Sequence, residues 1–157
     1  MNYWDKKVIR EQLDKKLTLL KEVASLGIPS EGWIKTIRKA LGLSTSQLGK
    51  KVGVDQSRIS RLENAERTGN LKLSSLQKIA KGLHMKFIYG FVPEDTLEEI
   101  VRNRAKRIAL KRLEKLDNTM RLEKQALSDE DNKKALEDMI DKILIDDPKN
   151  FWDEGDG

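Results

Sequence analysis

Apolar residues at Ile9, Leu13, Leu17, Leu20 and Ala24 recur at steps of three and four along the start of the chain. That period describes one face of an α-helix and predicts an amphipathic helix over 3–26, ended by Gly27, Pro29 and Ser30. A second periodic block runs from about Glu31 to Leu41, with Ile34, Ile37 and Leu41 on one face and Gly42 as its stop. Ser44 followed three residues later by Gln47 has the form of a capping box and opens a short helix through about Val52. Gly53 permits a left-handed turn, Asp55 is the next N-cap, and a helix is expected from Gln56 to about Ala65. The stretch ERTGN at 66–70 reads as a loop. Ser74 or Ser75 then caps a helix containing Leu76, Ile79, Ala80 and Leu83.

At 86–92 the helical period fails. The segment KFIYGFV is rich in aromatic and β-branched residues and is followed by Pro93, which predicts a strand. A single strand cannot satisfy its own backbone groups. The simplest partner is the same strand of a second copy, which makes Phe87, Ile88, Tyr89 and Phe91 candidate dimer contacts. Beyond Pro93, Leu97, Ile100, Val101, Ala105, Ile108, Leu113 and Leu116 outline a long helix that can run to about Gln125. Leu127, Ser128 and Asp129 interrupt the pattern. A last helix carries Leu136, Met139, Ile140, Ile143 and Leu144 and is closed by Pro148, leaving FWDEGDG as a loose tail. The apolar stripe of this last helix must dock, either on the long helix before it or on a partner protein. The expected fold class is all-α with one β-strand. It divides into an N-terminal helix (1–30), a helical cluster (31–84), a dimerisation strand (85–93) and a helical C-terminal extension (94–157).

Composition narrows the chemistry. Among 157 residues there is no cysteine, which removes disulfides, thiolate metal sites and cysteine nucleophiles, and there is one histidine, His84. No apolar run approaches the ~18–20 residues needed to span a bilayer, and MNYWDKKVIREQL lacks the apolar core of a secretory signal. A cytoplasmic protein without metal or cofactor is the expectation. Charge is uneven: the net +5 hides +8 over 31–93 and −7 over 128–157. The basic centre suits a polyanionic partner, and the acidic end opposes one.

Three short helices separated by Gly42 and Gly53 fall within 34–64. The second and third are joined by about three residues, which is a helix-turn-helix spacing. In the third helix Ile59 and Leu62 take the buried face. Ser57, Ser60, Arg61 and Asn64 lie opposite, with Gln56 and Arg58 at the first turn. Glutamine can bond adenine N6 and N7 together, and arginine can bond guanine O6 and N7. Serine and asparagine suit phosphate oxygens. A surface helix without a partner more often carries Glu and Lys pairs.

LSTSQLGKKVGVDQSRISRLENAER resembles the lambda-repressor-like, Xre-type helix-turn-helix family over residues 31–83. The resemblance implies a buried ion pair between Arg38 and Glu63 that is structural in role. It implies a phosphate contact at Ser44 and base readout by Gln56, Ser57 and Arg61. Asn64 matches a phosphate-binding position. The family usually has glutamine where Thr45 stands and a smaller residue where Arg58 stands, so Arg58 can add a base or phosphate contact. A wider resemblance rests on GWIKTIRKALGL, QSRISRLE, a strand ending FVP and LEEIVRNRAKRIA. It is similar to the family called mobile mystery protein A, which implies an Xre-type regulator encoded beside a Fic-domain protein. Fic inhibitors often carry [S/T]-x-x-x-E-[G/N]. Thr119 to Glu123 is followed by Lys124, and Asn150 to Gly155 lacks the hydroxyl residue, so neither segment completes that motif.

The expected function is therefore a dimeric, sequence-specific DNA-binding repressor of an antitoxin kind, not an enzyme, acting on an inverted-repeat operator in double-stranded DNA. The alternative is chiefly a protein-binding inhibitor of a Fic-type or other co-encoded enzyme. Trp4, Trp33 and Trp152 read as packing anchors, and Asp129/Asp131 and Asp146/Asp147 as solvated carboxylates.

Overall fold

The computed structural model describes residues 1–120 and 129–153, side chains of 116–120 excepted. Among these residues the chain forms helices α1 (Tyr3–Ser25), α2 (Trp33–Ala40), α3 (Thr45–Val52), α4 (Gln56–Thr68), α5 (Leu73–Gly82), α6 (Leu97–Met120) and α7 (Asp129–Asp146). They divide into two units, Glu22–Phe91 and Met1–Lys21 with Val92–Gly157.

The unit at 22–91 is built around α2 to α5. Its core is Ile34, Leu48, Val52, Ile59, Leu62 and Ile79, one or two side chains from each helix, with Leu83 at the C-terminal cap of α5. Leu48 and Ile59 are fully enclosed. Truncating either to alanine removes packing worth about 2–5 kcal/mol. The helix ends follow local chemistry. Ser44 Oγ accepts from the Gln47 N–H at 3.1 Å, and the Gln47 amide oxygen accepts from the Ser44 N–H at 2.8 Å. Asp55 accepts from the Arg58 N–H at 2.7 Å.

Two expected boundaries move. The segment ERTGN is not all loop: Glu66, Arg67 and Thr68 form the last turn of α4. That turn closes by bonds from the Gly69 and Asn70 N–H groups to the Glu66 and Ala65 carbonyls. Helix α5 starts at Leu73 behind Lys72, without a side-chain cap, so Ser74 and Ser75 lie inside its first turn. It ends with His84 in the left-handed region at φ 59°, where the Met85 N–H reaches back to the Ala80 carbonyl at 2.8 Å.

The expected strand at 86–92 is not formed: among the described residues there is no strand. Aromatic and β-branched content favours extended backbone, but a strand exists only through ladder bonds to a neighbour, and this chain supplies none there. Ile88, Tyr89 and Phe91 stand well exposed, while the Phe87 and Tyr89 rings stack at 6.0 Å.

The other unit has a separate core of Ala105, Ala109, Ile140, Ile143, Leu144 and Phe151. The apolar stripe of α7 therefore docks on α6 of the same chain. Arg102 of α6 pairs with Glu137 and Asp141 of α7 and stays protonated more strongly than usual, through its hydrogen bonds to Asp141 and Glu137. Helix α1 attaches by polar contacts more than by its stripe. Arg10 meets Glu98 at 2.5 Å, and the Asp14 carboxylate caps α6 by accepting from the Leu97 N–H at 2.8 Å. Ile9 and Leu13 stay largely exposed.

The tryptophans depart from expectation, since all three are about half exposed. Their neighbours Tyr3 and Phe151 do the packing, with Trp4 and Trp152 laid edge-on against those rings at 5.0 Å. Asp147 is half-buried and paired with Lys6 at 2.5 Å, which departs from a solvated carboxylate. The expected helix between 120 and Gln125 and the Thr119–Lys124 segment fall largely outside the described residues, as does the end of Asn150–Gly155. No described helix is long and apolar enough to cross a membrane.

Candidate nucleic-acid interface

The arrangement of α3 and α4 is set by a turn with little room for variation. Gly53 sits at φ 83°, a conformation that costs residues with a Cβ. Its N–H and that of Val54 both bond the Gly49 carbonyl, at 2.8 and 2.9 Å. Gly49 itself is pressed against the turn: a Cβ there would lie 2.5 Å from the Val54 carbonyl oxygen. No real contact is so short, so the chain after α3 packs this closely because residue 49 has no side chain.

Helix α4 is then held from two sides. Ile59 and Leu62 anchor it in the core. Arg38 of α2 grips Glu63 through two bonds, Nε to Oε1 at 2.5 Å and Nη2 to Oε2 at 3.2 Å, while its Nη1 donates to the Leu43 carbonyl at 2.9 Å. Glu63 is buried and Arg38 largely enclosed, and hydrogen bonding to Glu63 raises the Arg38 pKa above its ordinary value. Glu66, one turn on, caps α2: its carboxylate accepts from the Trp33 and Ile34 N–H groups at 2.7 and 2.8 Å. Helix α2 has no cap of its own, because Gly32 precedes it. Lys35 and Lys39 also pair with Glu31, and those hydrogen bonds, Lys39 first, lower its pKa.

With Ile59, Leu62 and Glu63 turned inward, the opposite side of α4 is presented to solvent. Gln56, Ser57, Ser60, Arg61 and Asn64 are exposed and, at ~100° per residue, share an arc of roughly 140°. Arg58 is also exposed but lies roughly 60° outside that arc, toward Leu62. None of these side chains is drawn into the fold's own hydrogen bonds; Arg58 contributes only its backbone N–H, to Asp55. Ser44 uses its oxygen as an acceptor within the capping box, which leaves the hydroxyl proton free to donate to an anion. Thr45, half-buried, is the first residue of α3, where backbone N–H groups and the helix dipole favour negative charge. Lys50 and Lys51 extend the basic surface at the far end of α3.

Glu66, Gly49 and Gly32 did not stand out in the sequence. The signal for Gly49 was a glycine inside an otherwise good helix, which marks close backbone approach. Among the described residues no group of three or more His, Asp or Glu side chains is placed to hold a metal ion.

The exposed arc thus presents amide, hydroxyl and guanidinium groups together on one side of α4. No curated protein and no solved structure matches the chain. The family model described as Helix-turn-helix matches residues 34–89, which take in nearly all of α2 and the whole of α3, α4 and α5, and this match supports a DNA-binding transcription regulator.

Proposed function

We propose that the chain is a dimeric, sequence-specific repressor that silences its own operon and serves as antitoxin to a co-encoded protein. The observation that carries the DNA reading is the exposed arc on α4, free of internal partners. Gln56, Ser57 and Arg61 read base edges in the major groove, with Arg58 beside them. Ser44, Thr45, Ser60 and Asn64 hold phosphates, which fix the helix in register. A second copy is brought in by the exposed Ile88, Tyr89 and Phe91, with the half-buried Phe87 stacked on Tyr89. A two-fold dimer with recognition helices about 34–36 Å apart requires an inverted-repeat operator. The antitoxin role rests on the resemblance to mobile mystery protein A, with a Fic-domain protein as the partner and the cytoplasm as the site of action.

An alternative is a chain whose main task is to inhibit the co-encoded enzyme. The independent core of the second unit favours it, because a DNA reader alone does not require that unit. A gel shift with the DNA upstream of its own gene separates the two. The repressor shifts that DNA without any partner, and an inhibitor pure and simple does not.

A further inference from the structure

Among the described residues four arginines are buried or half-buried: Arg10, Arg38, Arg102 and Arg104. Three of them have carboxylate partners, Glu98, Glu63, and Glu137 with Asp141. Arg104 is the most enclosed, at 9% exposure, and differs. Its Nε and Nη2 donate to the main-chain carbonyls of Phe151 and Asp153, both at 2.7 Å. Two neutral dipoles fix the plane of the guanidinium, and among the described residues no carboxylate is bonded to it, whereas a buried charge ordinarily requires an opposite one.

Beside it lies an open pocket of about 160 Å³ whose charged and amide lining, among the described residues, includes Arg104, Lys111, Arg112, Lys115, Asn150 and Asp153. Positions 104, 108, 111, 112 and 115 follow the three-and-four step that an apolar stripe normally takes, yet four of the five are cations. Among the described residues, the guanidinium groups of Arg104 and Arg112 and the Lys111 ammonium share a concave, solvent-open surface with the Asp153 carboxylate. The volume corresponds to roughly five waters, enough for a phosphoryl group and its immediate attachment but far too small for a duplex.

We propose that this cavity binds a small ligand through a phosphate or diphosphate group. Arg104 is the preorganised anchor, Lys111 and Arg112 close on the outer oxygens, and the Asn150 amide adds a neutral donor. The site belongs wholly to the unit formed by 1–21 and 92–157 and does not depend on the DNA reading.

The test is calorimetric titration of the full chain with pyrophosphate at low and moderate salt. The expected result is saturable one-to-one binding, weakened about tenfold or more in the double variant Lys111→Ala, Arg112→Ala. The control is Lys106→Ala with Arg107→Ala, which removes the same charge from the same helix away from the cavity and changes affinity by less than about twofold. All four positions are exposed, so folding is preserved. Binding without saturation, or an equal loss in the control, would reduce the effect to diffuse attraction and overturn the site. Duplex DNA affinity falling in the Lys111 and Arg112 variant, with no pyrophosphate binding, would overturn it in favour of a backbone contact.

Discussion

Replacing Arg38 with methionine removes three hydrogen bonds at once and keeps a side chain of similar reach. Glu63, 6% exposed, is left with its carboxylate in the protein interior and no cation, and the Leu43 carbonyl loses its donor. Breaking a buried pair from one side costs about 3–5 kcal/mol, because the remaining charge keeps its desolvation penalty. Stranding a carbonyl adds about 1–3 kcal/mol, with the sum reduced by relaxation around the site. For a domain stable by about 5–15 kcal/mol, such a loss is a large part of the whole. The double variant Arg38→Met, Glu63→Leu should be much milder, since no charge is left behind. The measurement is urea unfolding of wild type, Arg38→Met, Glu63→Leu and the double variant by circular dichroism, with the coupling energy taken from the cycle. The raised Arg38 pKa sets the sign with pH: its contribution is complete below the unfolded value and is lost only as pH rises past the folded one. The coupling should therefore hold across neutral and mildly alkaline pH. A single Arg38→Met variant with an unshifted midpoint would refute the burial argument.

Gly49→Val should destabilise the 22–91 unit by at least about 1–3 kcal/mol, since its Cβ meets the Val54 carbonyl; unfolding midpoints check this, and an unchanged value would contradict the close approach. Glu66→Ala should cost about 0.5–2 kcal/mol by uncapping α2, visible as faster amide exchange at Trp33 and Ile34. Phe91→Ser should shift a dimer toward monomer in light scattering without lowering the helical signal, because the side chain is exposed.

Local order was legible where one residue acts on its near neighbours. The capping box at Ser44 and Gln47, the Asp55 cap and the left-handed Gly53 are all chemistry within four residues. What escaped was non-local. Glu66 caps a helix more than thirty residues earlier, so its neighbours in sequence, which resemble a turn, hid a helical end. The 86–92 segment has strand-forming residues, but pairing depends on a partner that its own composition cannot supply. Trp4 and Trp152, expected as packing anchors, stand half exposed, whereas the rings one step away, Tyr3 and Phe151, face their core. The exposed arc of α4 was visible from periodicity, because Ile59 and Leu62 fix which way the helix turns.

The most direct measurement is fluorescence anisotropy of the full chain on its own operator and on a scrambled duplex, for wild type, Gln56→Ala and Arg61→Ala. Each substitution should weaken operator binding by about 1–3 kcal/mol and leave scrambled binding nearly unchanged, since base contacts carry discrimination. Variants that bind both duplexes as wild type does would show that α4 does not read DNA.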